Sequence, residues 1–307
     1  VTAPDRGVSV VIPTHGRAAW CVEAVRSALA QDGVDVEVLV AVDGPQPDTE
    51  AALAAVADAR LRVLVAPHGG RSAARNRALA AATREHVAFL DDDDRYLPGA
   101  LAALVDALAR HPDAVLAAGR AVATDEAGRE LPGQRRKATR GRETCGDRLE
   151  AQCRGDMPLN VTVAFRRGLL AHARGFDEDV AIGEDWLFLL RASEAGPFVH
   201  VPIAVTATRR HRGQTRHDPK TQEASLAVWL PRYFDDPRTP ARARALRRRL
   251  LARHLNWLSR NYRRVGDEAG YRRCFRAAVR ADPRLLLHPK RLRRFLTLAL
   301  TRGSPSS

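Results

Sequence analysis

The chain of 307 residues, 45% of them hydrophobic, is long enough for one large domain or two smaller ones around a sizeable core. It has no apolar run near the ~18 residues of a membrane span and no basic-then-apolar leader in VTAPDRGVSVVIPT, which argues against both a span and secretion. The four cysteines are scattered without a C-x-x-C, so neither a zinc site nor a disulfide framework is expected, a reducing cytoplasm fits, and the net charge of +14 has to be located along the chain.

VSVVIPT (8–14) is a β-rich run closed by proline and a His-Gly turn. AAWCVEAVRSALA follows, with Val22, Val25 and Leu29 at helical spacing. VEVLVAV (36–42), a DGPQP turn and a helix near 48–58 capped by Asp48 come next. LRVLVAP (61–67) and HVAFL (86–90) predict a third and fourth strand, with the helix SAARNRALAAAT between them. The acidic turn after HVAFL leads into a helix beginning at Pro98. This alternation predicts an α/β fold with a parallel sheet covered on both faces. After DAVLAAG (113–119) the regularity fades; NVTVAF and the segment around PFVHVPIAVTAT read as further strands, bracketing a helix EDWLFLLRASEA. Residues 129–157 lack periodicity and read as a long loop, either functional or disordered. The tail reads as helices near 221–234, 239–262, 267–280 and 289–301.

The charge is divided unevenly. From residue 206 onward 26 Lys or Arg face 7 Asp or Glu, a net of +19, while residues 1–205 carry a net of −5. A basic tail of Arg interleaved with Leu, Trp and Phe suits packing helices with a solvated Arg face, or peripheral contact with anionic membrane. No nucleic-acid-binding module is recognisable, and no nucleic acid is expected as a partner.

FLDDDDRYLP (89–98) concentrates four carboxylates after a strand. Ligands of open α/β sheets gather beyond the carboxyl ends of strands. Like charges this close repel, so a divalent cation, a helix N-terminus or solvent must offset them. Hard oxygen ligands suit Mg²⁺ or Mn²⁺. A solvated turn capping the next helix is the competing reading. GGR (69–71) has neither a Walker ending nor a G-x-G-x-x-G pattern, which disfavours P-loop and dinucleotide enzymes.

VSVVIPTHGR, the VDG turn, HGGRSAARNRAL and FLDDDDRYLP occur in this order at successive strand ends, followed by FRRGLLAHARGFDEDVAIGEDWLFLLRA and RRHRGQ. Together they resemble the family-2 glycosyltransferases of the GT-A fold, over about residues 8–215. The resemblance implies a Rossmann-like, mostly parallel sheet flanked by helices, in a domain over 1–217 divided into a nucleotide-sugar half (1–119) and an acceptor half (120–217). The tail's own pattern adds a basic helical C-terminal extension over 218–307. It further implies metal-dependent inverting transfer from a nucleotide-diphosphate sugar, UDP-linked by expectation. The acceptor would be a glycan, a lipid-linked glycan or a small molecule.

In that reading Pro13 and Thr14 offer backbone groups to the nucleoside, and Asp43 accepts from the base. The family often places two carboxylates in the Asp43 turn; this chain has Val42 then Asp43. Arg75 and Asn76 fall on the family's A-R-N, where arginine pairs with phosphate. Asp93 is the expected metal ligand, with Asp91 and His211 beside it. Asp92 faces the sugar or ribose, and Asp94 is a plain cap. Asp185, next to Glu184, is the expected general base, and Trp186 a stacking surface for the acceptor. His15, His68 and the other histidines show no ligand spacing. The competing class is a non-catalytic scaffold that keeps the fold and docks on membrane or RNA.

Overall fold

The structure is a computed structural model that describes residues 5–134, 141–214, 218–289 and 291–293. The chain divides into two compact units, one drawn from residues 1–148 and 157–214, the other from 149–156 and 215–307.

In the first unit the alternation continues in chain order: β1 Gly7–Thr14, α1 Ala18–Leu29, β2 Asp35–Asp43, α2 Pro47–Ala54, β3 Leu61–Ala66, α3 Gly70–Ala80 and β4 His86–Phe89. These four strands are parallel, in the order β3-β2-β1-β4. The sheet then becomes mixed. It continues through β5 Arg95–Tyr96, α4 Ala100–Arg110, β6 Leu116–Thr124, β7 Thr144–Gly146, β8 Val163–Arg166, α6 Leu170–Ala173, α7 Glu184–Ala195 and β9 Phe198–Arg209. Strand β8 runs antiparallel between β4 and β6, β9 is parallel to β6, and β5 and β7 pair antiparallel with β9. The four parallel strands are thus successive in the chain with a helix between each pair, and the mixed part of the sheet follows them.

Strand alternation creates two cores. Val8, Val10 and Ile12 of β1 with Val38, Val40 and Val42 of β2 face one side, where Cys21, Ala24 and Val25 of α1 and Leu101, Leu104 and Leu108 of α4 pack. Val11, Leu39, Ala41, Val87 and Phe89 face the other, against Ala74 and Ala78 of α3 and Phe188 and Leu189 of α7. Cover runs out at the edge, where Val65 of β3 is 43% exposed. On the second side Phe89, Phe165, Phe176 and Phe188 form an aromatic cluster, with Phe89 5.2 Å from Phe176 and 5.6 Å from Phe188 between ring centres. Phe176 and Phe188 stack at 5.1 Å.

Several local expectations are corrected. Helix α2 begins at Pro47 with Gln46 at its N-cap, so Asp48 lies in the first turn and caps nothing. Pro at the first helical position takes a place where its missing N–H costs nothing. Helix α4 begins at Ala100 after Gly99, without a side-chain cap, so Asp94 is not its cap. The two residues of β5 inside RYLP pair with β9, far along the chain. Within 129–157 lie β7 and a short helix, α5 Leu149–Cys153; residues 135–140 are outside the described ones.

The second unit joins α5 to α8 Pro219–Phe234, α9 Ala241–Arg244, α10 Arg247–Arg264 and α11 Glu268–Ala281. The helix expected over 239–262 is thus two pieces. Asp218 caps α8 through the N–H groups of Lys220 and Thr221, and Asp267 caps α11 through Gly270. Leu250 and Leu258 of α10 and Phe275 and Ala278 of α11 are buried, while the arginines between them line the other faces. Most of the helix expected over 289–301 lies outside the described residues. No described helix is long and apolar enough to cross a membrane.

Phe188→Ala removes three ring neighbours at once. It should cost about 3–5 kcal/mol of unfolding free energy, measured by urea titration.

Candidate active site

The carboxyl ends of β1, β2, β3 and β4 lie along one edge of the sheet, because parallel strands all end on the same side. The segment after β9 and the start of α7 supply the remaining groups. The four aspartates that follow β4 do not point the same way.

Asp91 accepts from Arg75 Nη2 at 2.9 Å. Asp92 is buried, 4% exposed, and turned back toward β1: Oδ2 accepts from Thr14 Oγ1 at 2.8 Å and Oδ1 from Arg17 Nη1 at 2.8 Å. The sequence places Asp92 facing the sugar or ribose; here its carboxylate is held by Thr14 and Arg17. Asp93 Oδ2 lies 3.0 Å from the same Arg17 nitrogen and 2.9 Å from His211 Nε2. Asp94 Oδ1 accepts the backbone N–H of Arg209 at 2.9 Å. Arg209 also donates through Nε to the Asp93 carbonyl at 3.1 Å and pairs with Glu23 at 2.6 Å. Trp20 packs against both Arg209 and His211, fixing this segment beside the acidic turn.

Oxygens of Asp91, Asp93 and Asp94 lie within 4.8 Å of one another. Burial and the neighbouring Asp91, Asp93 and Asp92 push the Asp94 carboxyl up to about 8, against the opposing Arg209 N–H. Burial also raises Asp92, although Arg17 and Thr14 oppose it. For Arg17 burial works against the charge, yet Asp92, Asp93 and Asp91 outweigh it and raise its pKa. A hard, all-oxygen donor set in which one carboxylate ionises only against strong repulsion fits a divalent cation such as Mg²⁺ or Mn²⁺. The structure therefore puts Asp94, expected as a cap, beside Asp91 and Asp93, and brings His211 onto Asp93.

Arg75 links this turn to α7. It is 3% exposed, and its Nη1 lies 3.0 Å from Glu184 Oε1 while its Nη2 meets Asp91. Its guanidinium sits 5.1 Å over the Phe176 ring. Arg71 adds a second contact to Glu184 at 2.9 Å. Burial acts against the Arg75 charge, but Asp91, Glu184 and Asp185 outweigh it and raise its pKa. Asn76 instead builds the turn before α7. Its amide donates to Phe176 O at 2.8 Å and to Glu178 at 2.9 Å, and accepts from Phe176 N at 2.8 Å. Gly175 there has φ of 69°, and a Cβ would come 2.7 Å from Asn76 Oδ1, so the G-F-D-E turn needs its glycine.

Asp185 stands in the first turn of α7, where the helix end favours negative charge. Burial and the adjacent Glu184 push its carboxyl up to about 6, against Arg75 and the Trp186 N–H, which it accepts at 2.8 Å. Trp186 is half-buried next to it. Pro13 is buried inside β1, opposite Ala41 of β2. Asp43 caps the next turn: Oδ1 accepts from Gly69 N at 2.7 Å and Oδ2 from Gly70 N at 3.0 Å. His68 Nδ1 lies 2.9 Å from Asp43 Oδ2.

Arg17 and Arg209 were not singled out from the sequence, and His15 and His68 were named there only as showing no ligand spacing. Arg17 and Arg209 belong to quoted motifs, THGR and RRHRG, and their spacing from the acidic turn gave no sign of contact. The histidines, 53 positions apart, have no local spacing; turns after β1 and β3 bring them together.

The profile of Glycosyl transferase family 2 matches residues 9–166. Among curated proteins, the succinoglycan biosynthesis protein ExoO of Rhizobium meliloti is 32% identical over 206 residues, 63% of this chain and 57% of that protein. The pre-mycofactocin glycosyltransferase of Mycobacterium tuberculosis is 32% identical over 233 residues, 74% of this chain and 45% of that one. The chain thus spans little more than half the length of the first and less than half of the second. Among solved structures, Staphylococcus aureus TarS 1–349 in complex with UDP-GlcNAc superposes with a TM-score of 0.58 at 19% identity, over 88% of this chain and 90% of that one. The mannosyltransferase PcManGT from Pyrobaculum calidifontis, in complex with GDP-Man and Mn²⁺, gives 0.57 at 17% identity, over 97% and 86%. The fold is that of the GT-A transferases, and with the profile match over more than half its length the chain belongs to glycosyl transferase family 2.

Proposed function

We propose that the chain is a metal-dependent inverting glycosyltransferase that moves a sugar from a nucleotide-diphosphate donor, UDP-linked, to an acceptor hydroxyl of a glycan, a lipid-linked glycan or a small natural product. The observation that carries this reading is the single Arg75 guanidinium between Asp91 of the acidic turn and Glu184 beside Asp185. It ties a dication-type carboxylate set to a carboxyl with the pKa of a base. Relatives described as glycosyltransferases, and neighbours solved with UDP-GlcNAc or with GDP-Man and Mn²⁺, agree with the reaction class.

Asp91, Asp93 and Asp94 would hold Mg²⁺ or Mn²⁺, with His211 in reach of Asp93. When bound, the ion supplies Lewis-acid stabilisation of the diphosphate charge. Arg17 and Thr14 keep Asp92 in the supporting wall, so that its charge backs the site without contacting the donor. Pro13, Thr14 and Asp43 border the nucleoside side. Asp185 takes the proton of the acceptor hydroxyl as that oxygen attacks the anomeric carbon from the side opposite the diphosphate; the bond to the diphosphate oxygen breaks, the nucleoside diphosphate leaves with that electron pair, and the carbon is inverted. With its carboxyl near 6, Asp185 is largely ionised at neutral pH yet basic enough to accept a proton. Trp186 borders the acceptor. The same reading puts the protein in the cytoplasm, which the scattered cysteines suit, with its basic helices against anionic lipid, which the charge of the tail suits.

Asp93→Ala and Asp185→Asn should each lower transfer by at least about 10²-fold with unchanged circular dichroism, in a donor-by-donor assay of nucleotide release. Full activity in both variants, or no metal-dependent UDP binding by calorimetry, would favour the scaffold reading. Because Asp185 must be ionised, kcat should fall about tenfold per pH unit below about 6 and level off above it. Asp185→Asn should abolish that limb. Arg75→Leu leaves Glu184 buried with only the half-exposed Arg71, and should cost about 3–5 kcal/mol by chemical denaturation.

A further inference from the structure

Apart from the acidic turn, one more group of ligating side chains converges among the described residues. His15, Asp43 and His68 each present a donor atom within 4.8 Å of the other two. They come from three strand ends, just after β1, at the end of β2 and just before α3. Asp43 is the buried member, and the N–H groups of Gly69 and Gly70 hold its carboxylate in place. The two imidazoles are exposed, with ring centres 5.1 Å apart. His68 Nδ1 lies 2.9 Å from Asp43 Oδ2. His15 Nδ1 lies 2.8 Å from the Asp43 carbonyl and 2.7 Å from Gln46 Nε2, which orients the ring.

The chemistry differs from that of the acidic turn. Two imidazole nitrogens and one carboxylate oxygen, open to water on the outer side, make a borderline-soft set of the kind that takes Zn²⁺. The peptide N–H groups on Asp43 act as the outer partners that orient a ligating carboxylate. We infer that His15, Asp43 and His68 form a binding site for zinc-class cations, distinct from the Asp91–Asp93–Asp94 set, whose occupation closes the nucleoside side of the donor site. The closing effect rests on the reading of Asp43 as the base-side carboxylate. Any proton shared between His68 and Asp43 leaves to solvent on binding, since both imidazoles ligate in the neutral form.

The test is calorimetry of the full chain with ZnCl₂ in excess Mg²⁺, comparing wild type with H15Q/H68Q and with H68Q alone. Wild type should bind one more zinc equivalent than the double variant, and Co²⁺ should give a visible d–d band in wild type that both variants lose. With zinc at about ten times its Kd, apparent UDP affinity should fall about tenfold in wild type and stay unchanged in the double variant. Equal zinc stoichiometry in wild type and double variant would overturn the site. A zinc equivalent lost in the variant but with no effect on UDP would overturn only the closing effect. Absence of UDP binding without zinc would instead overturn the donor reading, and the stoichiometry would still decide the site.

Discussion

A guanidinium buried between two carboxylates is the constraint on which the rest of the site depends. Arg75 on α3 is removed from water and sits over Phe176, an arrangement that is costly unless the charge is matched on both sides. Asp91 and Glu184 supply the match, one from the turn after β4 and the other from the first turn of α7. Neither segment can move independently while that cation stays buried. The aromatic cluster of Phe89, Phe165, Phe176 and Phe188 beneath it connects the site to the second core. The acidic turn and the start of α7 are therefore tied together through one side chain.

The crowding of charge in FLDDDDRYLP is met by a spread of partners, with Arg17 shared between two of the carboxylates. Asp91 goes to Arg75, Asp92 to Thr14 and Arg17, Asp93 to Arg17 and His211, and Asp94 to the Arg209 peptide N–H. Only Asp92 is fully satisfied by a neutral hydroxyl together with a cation. Burial first, and the three neighbouring aspartates in addition, raise the pKa of Asp94, whose main partner is a peptide N–H. That imbalance marks where positive charge is wanted. At the opposite end of the strand edge, Asp43 has two peptide N–H groups and an imidazole around it, and no comparable excess of negative charge.

Much of the fold was legible because its determinants are local. The alternation of Val8, Val10 and Ile12 with Val11, repeated in β2, defines strands buried on both faces. Helical spacing in α1 and α4 needs no distant partner to be read. The exceptions are elements that exist through pairing alone. Strand β5 has two residues and no period, and it is a strand only because β9 passes beside it. Helix α5 is too short for a pattern, and the antiparallel insertion of β8 between β4 and β6 leaves no mark on β8 itself.

Sequence by itself determined that carboxylates, arginines and the Glu184–Asp185 pair would lie at strand ends and a helix start, since the order of motifs and the period of the strands are properties of consecutive residues. Only the tertiary structure decided which oxygen meets which nitrogen. Thr14 and Asp92 are separated by 78 positions, Asp93 and His211 by 118, and Arg75 and Glu184 by 109. Contacts over such separations are set by strand order, register and turn conformation. No local pattern records them, which is why Asp92 turned inward, Asp94 joined the acidic group and two histidines without ligand spacing in the sequence met at Asp43.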